Sequence, residues 1–199
     1  MSREVHVRFC ESVGVRFPRA TRLVILCRRG KGDKAMATLK YVLNRLGLTL
    51  NDAKTKRVNA FKGRFDFLGF TIGMAKSWRT GNYYPHVQPS KKSLQVIKDR
   101  VTKLTRRHRT AKPLSQIIGE VNATLGGWVG YFHYRNGSSV FARLRYHIEE
   151  RLRTHLRKRH KIKSRGTGHI LFKNDTLYAR YGLYRVPTTA PWKKVHALR

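Results

Sequence analysis

The sequence predicts an α+β protein: a small β-sheet with one helix, then a basic three-helix bundle, then an irregular or hairpin tail. Three observations carry that prediction. Between Leu23 and Phe70 apolar residues come in short runs bounded by Gly and turn residues, as buried strands do. From Leu94 to Leu156 they recur at helical spacing, the mark of helices with one covered face. Beyond Lys163 neither period persists, and Gly166, Gly168 and Gly182 lie among short apolar and Tyr-rich pieces. The predicted boundaries are 1–86, 87–163 and 164–199.

Residues 1–21 mix Arg3, Arg8, Arg16 and Arg19 with Val and Phe, consistent with a short strand and a loop at Pro18. Arg22–Cys27 contains the run Leu-Val-Ile-Leu-Cys and reads as a buried strand, after which Gly30-Lys31-Gly32-Asp33 turns the chain. These glycines lack the GxxxxGK[ST] spacing of a phosphate loop. Asp33 is placed to N-cap a helix running to Leu46, with Met36, Leu39, Leu43 and Leu46 inward and Gly47 ending it. Strands at Lys56–Phe61 and Arg64–Thr71 follow, with Lys62-Gly63 as their tight turn. Gly73–Val87 then reads as an exposed connection in which Trp78, Tyr83 and Tyr84 alternate with Lys76, Arg79 and His86. Such interleaving suits base stacking, and equally a hairpin packing back on the sheet.

Ser90 is a good N-cap for the first bundle helix, which carries Leu94, Ile97, Val101 and Leu104. The second carries Leu114, Ile117, Ile118, Val121, Leu125, Trp128 and Phe132; after an Asn136-Gly137 turn, the third carries Phe141, Leu144, Ile148, Leu152 and Leu156. Their apolar stripes face one another and make a core. Arg106, Arg107 and Arg109 crowd the end of the first helix beyond what a helix dipole requires. Off the last stripe lie Arg143, Arg145, Arg151, Arg153, Arg157, Lys158, Arg159, Lys161 and Lys163, against the single acidic pair Glu149-Glu150.

Over the whole chain 44 Lys and Arg face 10 Asp and Glu, a net charge of +34. Such an excess repels itself until a polyanion neutralises it, which points to nucleic acid. Arginine forks suit phosphate oxygens. A membrane partner is not expected, because no apolar run approaches the ~20 residues of a spanning helix and Met1–Ala20 lacks a signal peptide's apolar core. Cys10 and Cys27 form no CxxC, and Cys27 in its apolar run reads as a buried reduced thiol, which places the chain in the cytoplasm.

Several blocks, in order, resemble a known family. Gly126–Phe132, the Asn-Gly-Ser turn and the basic Leu/Arg helix resemble the maturase-specific domain, also called the thumb or X domain, of bacterial group II intron-encoded proteins. Val24–Cys27, Gly47–Thr55 and Phe65–Phe70 resemble the last blocks of that family's reverse transcriptase palm, so the likeness runs from about Leu23 to Lys163. It implies a palm remnant followed by a thumb that binds structured intron RNA. It also implies a primer-grip-like hairpin at Phe67, Leu68 and Gly69, although the side chains of Phe65, Phe67 and Phe70 read better as an ordinary core.

The catalytic chemistry of that family is not expected here. Two-metal phosphoryl transfer needs paired carboxylates, which the family supplies as Tyr-Ala-Asp-Asp before an apolar strand. Counting back from Val24, the matching residues are Arg19-Ala20-Thr21-Arg22, and an Arg at that place repels the ions. The earlier palm and finger blocks are absent. Adjacent Glu149 and Glu150 diverge on a helix, and His147, His155 and His160 lie among cations without Cys or carboxylate at ligand spacing. No catalytic residue, protein-bound metal or cofactor is assigned; magnesium would enter only with the RNA or a complementing polymerase chain.

The sequence therefore reads as an RNA-binding, maturase-like protein without polymerase activity of its own, its partner a group II intron RNA or another structured RNA. Its contacts would be the cations Arg106 to Lys163 named above, together with Tyr131 and Tyr134, while Trp128 and Phe132 continue the core stripe. The alternatives are the C-terminal piece of a split reverse transcriptase completed by another chain, and a decayed remnant that binds nucleic acid nonspecifically.

Overall fold

The computed structural model describes residues 5–11, 22–28, 30–52 and 55–189, with side chains from Leu23 onward. Arg19, Ala20 and Thr21 of the expected motif position and the tail beyond Thr189 lie outside the described residues. The fold is α+β, in two compact units, Met1–His86 and Val87–Arg199. No helix among the described residues is long and apolar enough to cross a membrane.

In the first unit β1 (Val5–Glu11) is the centre of an antiparallel sheet. It pairs with β2 (Arg22–Arg28) on one side, Phe9 opposite Val24, and with β3 (Thr55–Asn59) on the other, Val7 opposite Val58. Because side chains alternate along β2, Ile25 joins Leu39 and Leu43 of α1 (Gly32–Arg45), while Val24 joins Ala60 and Phe65.

Helix α1 differs from expectation in its N-cap and in the placement of Leu46, while Gly47 ends it as expected. Lys31 is its N-cap and offers no side-chain hydrogen bond; Asp33 lies inside the first turn, where its carboxylate meets the Arg57 guanidinium of β3. A carboxylate in that turn still favours the positive end of the helix dipole. At the other end Gly47 takes φ of 66°, its N–H donates to Asn44 O at 3.0 Å, and Leu48 N–H donates to Leu43 O at 2.9 Å. That reversal leaves Leu46 64% exposed and brings Leu48 and Leu50 into its expected place against Leu39 and Leu43.

The hairpin turn also falls elsewhere than Lys62-Gly63. β4 (Phe65–Phe67) and β5 (Phe70–Lys76) are joined by Leu68 and Gly69, at φ 48° and 83°, with Phe67 opposite Phe70. Two successive positive φ values match the right-handed twist of paired strands, so the expected single strand Arg64–Thr71 folds back on itself. β3 ends early because the Asn59 carbonyl accepts from Lys62 and Gly63 while its side chain accepts from Phe61. The expected exposed connection is instead the rest of β5 and β6 (Tyr83–Pro89), which completes a second three-stranded sheet.

In the second unit, the side chain of Ser90 accepts from Ser93 N at 3.1 Å and starts α2 (Lys91–Leu104). Helices α3 (Leu114–Phe132) and α4 (Ser138–Arg159) complete the bundle. Leu94, Ile97 and Val101 of α2 are buried, as are Ile117, Ile118, Val121, Leu125 and Phe132 of α3 and the whole predicted stripe of α4. Val129 is buried beside this stripe and Trp128 is half-buried. The α3–α4 connection reverses at Arg135, φ 55°, rather than at Asn136-Gly137. Gly137 caps α4, and a Cβ there would meet the Phe141 ring at 2.6 Å, so only glycine lets this turn close.

Residues 164–189 pack onto the bundle. Ser164 caps the short helix α5 (Arg165–Leu171), a single π-helical turn follows at Thr176–Arg180, and residues 182–189 form an irregular strap. Leu177, Leu183 and Val186 are at most 5% exposed, each burial contributing about 2 kcal/mol. Asn122 of α3 clamps the strap, donating to Gly182 O and accepting from Tyr184 N, both at 2.8 Å.

Candidate nucleic-acid interface

The predicted cations of the bundle fall into two groups that the sequence does not separate. Arg109, Arg151, Arg153 and Arg159 turn inward. Arg151 reaches the end of α2, donating to Thr102 O, Thr105 O and Thr105 Oγ1 at 3.3 to 3.4 Å. Arg159 donates to Thr110 O at 2.9 Å and Lys112 O at 2.6 Å, holding the α2–α3 connection to α4. Arg109 binds both oxygens of Glu120, at 2.9 and 2.7 Å. Arg153, 11% exposed at its side chain, bridges Glu150 at 2.6 Å, Phe172 O at 2.9 Å and Asn174, joining α4 to the tail. These four forks supply donors to carbonyls that helix ends leave without intrahelical partners, or to carboxylates. Their expected place on the outer face is corrected accordingly.

Arg106, Arg107, Arg143, Lys158, Lys161 and Lys163 are exposed. Arg157 is half-buried, its stem lying over Gly168 so closely that a Cβ there would sit 3.0 Å from Arg157 Cδ. Arg145 faces buried Glu149 at 3.9 Å, and Tyr178 Oη donates to the same carboxylate at 2.5 Å. Burial first, then that hydrogen bond, push the Tyr178 phenol well above its ordinary range. At Glu150 burial pushes the carboxyl up, but hydrogen bonds from Arg153 and Arg165 outweigh it and hold the group below its usual value.

The ends of α2 and α4, with the short turn Arg107–Arg109, form a basic pole. Inside it His155 is fully buried, Nδ1 lying 3.4 Å from Thr105 O and Nε2 without a hydrogen-bond partner among the described residues. Burial lowers its pKa; the Thr105 contact opposes this, and Arg159, Arg151 and Arg109 reinforce the lowering. His147, against Thr102 Oγ1 at 3.2 Å and Lys98 O at 3.3 Å, is lowered by burial and by Lys98 and Arg151. Burial thus disfavours the charged form of both imidazoles. Among the described residues no group of three or more His, Cys, Asp or Glu comes together as a metal would need.

The other end of the bundle is aromatic. Trp128 lies 4.6 Å from Phe132 and 5.6 Å from Phe141, ring centre to ring centre, and Tyr131 packs edge-on against Phe132. Tyr131 and Tyr134 remain 55% and 52% exposed, and Arg135 sits over the Tyr134 ring at 5.3 Å. Sequence reasoning missed Arg135, whose left-handed backbone sets its guanidinium over the ring. No periodicity could have indicated that. Of the primer-grip-like set, Phe67 is half-buried, Leu68 is 53% exposed and Gly69 closes the β4–β5 turn.

Residues 94–171 match the family model described as the group II intron, maturase-specific domain, a span from within α2 to the end of α5. No curated protein matches the chain.

Proposed function

We propose that the helical unit binds structured group II intron RNA and assists its splicing, the RNA performing the chemistry. The observation that carries this reading is the basic pole, in the segment matching the maturase-specific domain, where Arg106, Arg107, Lys158 and Lys161 face solvent after the inward arginines have taken up the nearby carbonyls and carboxylates. A ribozyme fold crowds phosphates together, and cations displayed on a folded bundle neutralise them without any cost of ordering the backbone. Tyr131, Tyr134 and Arg135 add stacking at the far end.

The test is a salt series of the full chain on a folded group II intron RNA beside an unrelated structured RNA of equal length. Reversing Arg106, Arg107, Lys158 and Lys161 to Glu should flatten the slope of log affinity against log salt by roughly 3. An unchanged slope would remove the pole from the interface. Equal affinities for both RNAs, collapsing together with salt, would leave phosphate binding without recognition.

One observation favours a second reading, completion of a polymerase by a separate chain. Among the described residues β2 is an edge strand, and it presents Leu26 at 66% and Leu23 at 36% exposure, a template for another strand. Mixing with a fingers–palm chain and measuring co-elution tests it; two separate peaks would end it.

A further inference from the structure

The β5–β6 hairpin lies outside the matched segment and ends in a tip, within the first unit, that the bundle does not explain. Ser77 N–H donates to Asn82 O at 2.8 Å and Gly81 N–H to Ser77 O at 2.9 Å, while Ser77 Oγ accepts from Thr80 N at 3.2 Å. Gly81 adopts φ of 69°, which a side chain would strain. The tip is thus held by its own hydrogen bonds. At its apex Trp78 is 95% exposed. Tryptophan is on average among the well-covered side chains, and an ordered turn that holds one almost wholly in water gains nothing in stability from it. Tyr83, where β6 leaves the tip, is 53% exposed and held edge-on by Phe61, ring centres 5.0 Å apart.

Charge decides what such a tip can meet. No Asp or Glu occurs between Asp66 and Asp99, while Lys76 and Arg79 flank Trp78 and are both exposed. An apolar partner surface needs no such cations; a polyanion does. An indole beside two cations is the arrangement that takes an unpaired base on the ring and its phosphates on the flanking charges. We infer that the Trp78 tip is a second nucleic-acid contact, selective for unpaired nucleotides, with Trp78 stacking on a base and Lys76 and Arg79 holding the adjoining phosphates. A paired helix hides its base faces and offers the tip only phosphate. Because the turn is already ordered, little freedom is lost when a base docks.

The test uses the full chain with two probes, an oligouridylate of about 12 nucleotides and a fully paired RNA hairpin. Trp78→Ala should weaken oligouridylate binding roughly tenfold or more, leave the paired hairpin within about twofold, and be largely rescued by Trp78→Phe. Equal losses on both probes, or none on either, would overturn the inference. So would a Trp78→Ala variant that loses binding to anionic phospholipid vesicles while keeping its oligouridylate affinity, which would assign the tip to a lipid surface. The fall in salt slope on reversing the four pole cations should be the same with and without Trp78→Ala, so the two readings fail separately.

Discussion

Arg153 and Lys158 stand on the same helix, within two turns of each other, and have opposite roles. Arg153 is enclosed by Glu150, the Phe172 carbonyl and Asn174, whereas Lys158 faces water. The same division runs through the whole basic set: Arg109, Arg151 and Arg159 close the pole from within, and Arg106, Arg107 and Lys161 cover it from outside. The lesson is that a strongly basic surface needs an inner ring of arginine. Planar forks stitch helix ends together, and the cations left over are displayed on a frame that holds them in place.

The sharpest way to break this comparison is to cut one inward fork. Arg153→Ala should destabilise the fold by about 3 kcal/mol, because Glu150 is left half-satisfied and the tail loses its tie to α4. The salt slope of RNA binding should not change under conditions where the variant remains folded. If denaturant melts instead show a shift below about 0.5 kcal/mol, Arg153 behaves as an outer residue and the division fails.

Acid offers a milder test. In the unfolded chain His147 and His155 titrate near the usual value of 6.5, but in the fold burial and neighbouring cations hold both lower. Below about pH 6.5 the unfolded chain takes up protons that the fold refuses, so stability is fully present above that pH and declines as pH falls through it. Glu120, lowered chiefly by its hydrogen bond from Arg109, adds a second decline below about 4.5. His155→Gln should flatten the upper limb of thermal midpoint against pH. An unaltered limb would place the proton uptake elsewhere.

The smallest effect concerns α3. Gly127 is exposed, and a Cβ added there meets nothing within 4 Å, so no internal contact requires glycine. Gly127→Ala should stabilise the protein by about 0.5–1 kcal/mol through reduced freedom of the unfolded chain. A loss of RNA affinity in the same variant would show that the α3 face is approached closely from outside, extending the displayed surface beyond the basic pole.

Local chemistry made much of this legible in the sequence. The helical spacing from Leu94 to Leu156 marked the bundle's core, and Ser90 its first cap. Positive-φ geometry was less legible: Leu68 and Arg135 take left-handed backbone that neither residue type favours, so the turns at these points could not be anticipated. The candidate site was legible as a composition and not as an arrangement.

What the sequence determined by itself was the period of each element and the sign of its surface, because both follow from neighbours a few residues apart. Only the tertiary structure decided which arginines face inward. Arg151 finds its acceptor 46 residues earlier at Thr105, and Arg153 finds one 19 residues later at Phe172. A long, flexible side chain goes wherever an unsatisfied carbonyl lies within reach, and that place is set by how the elements pack.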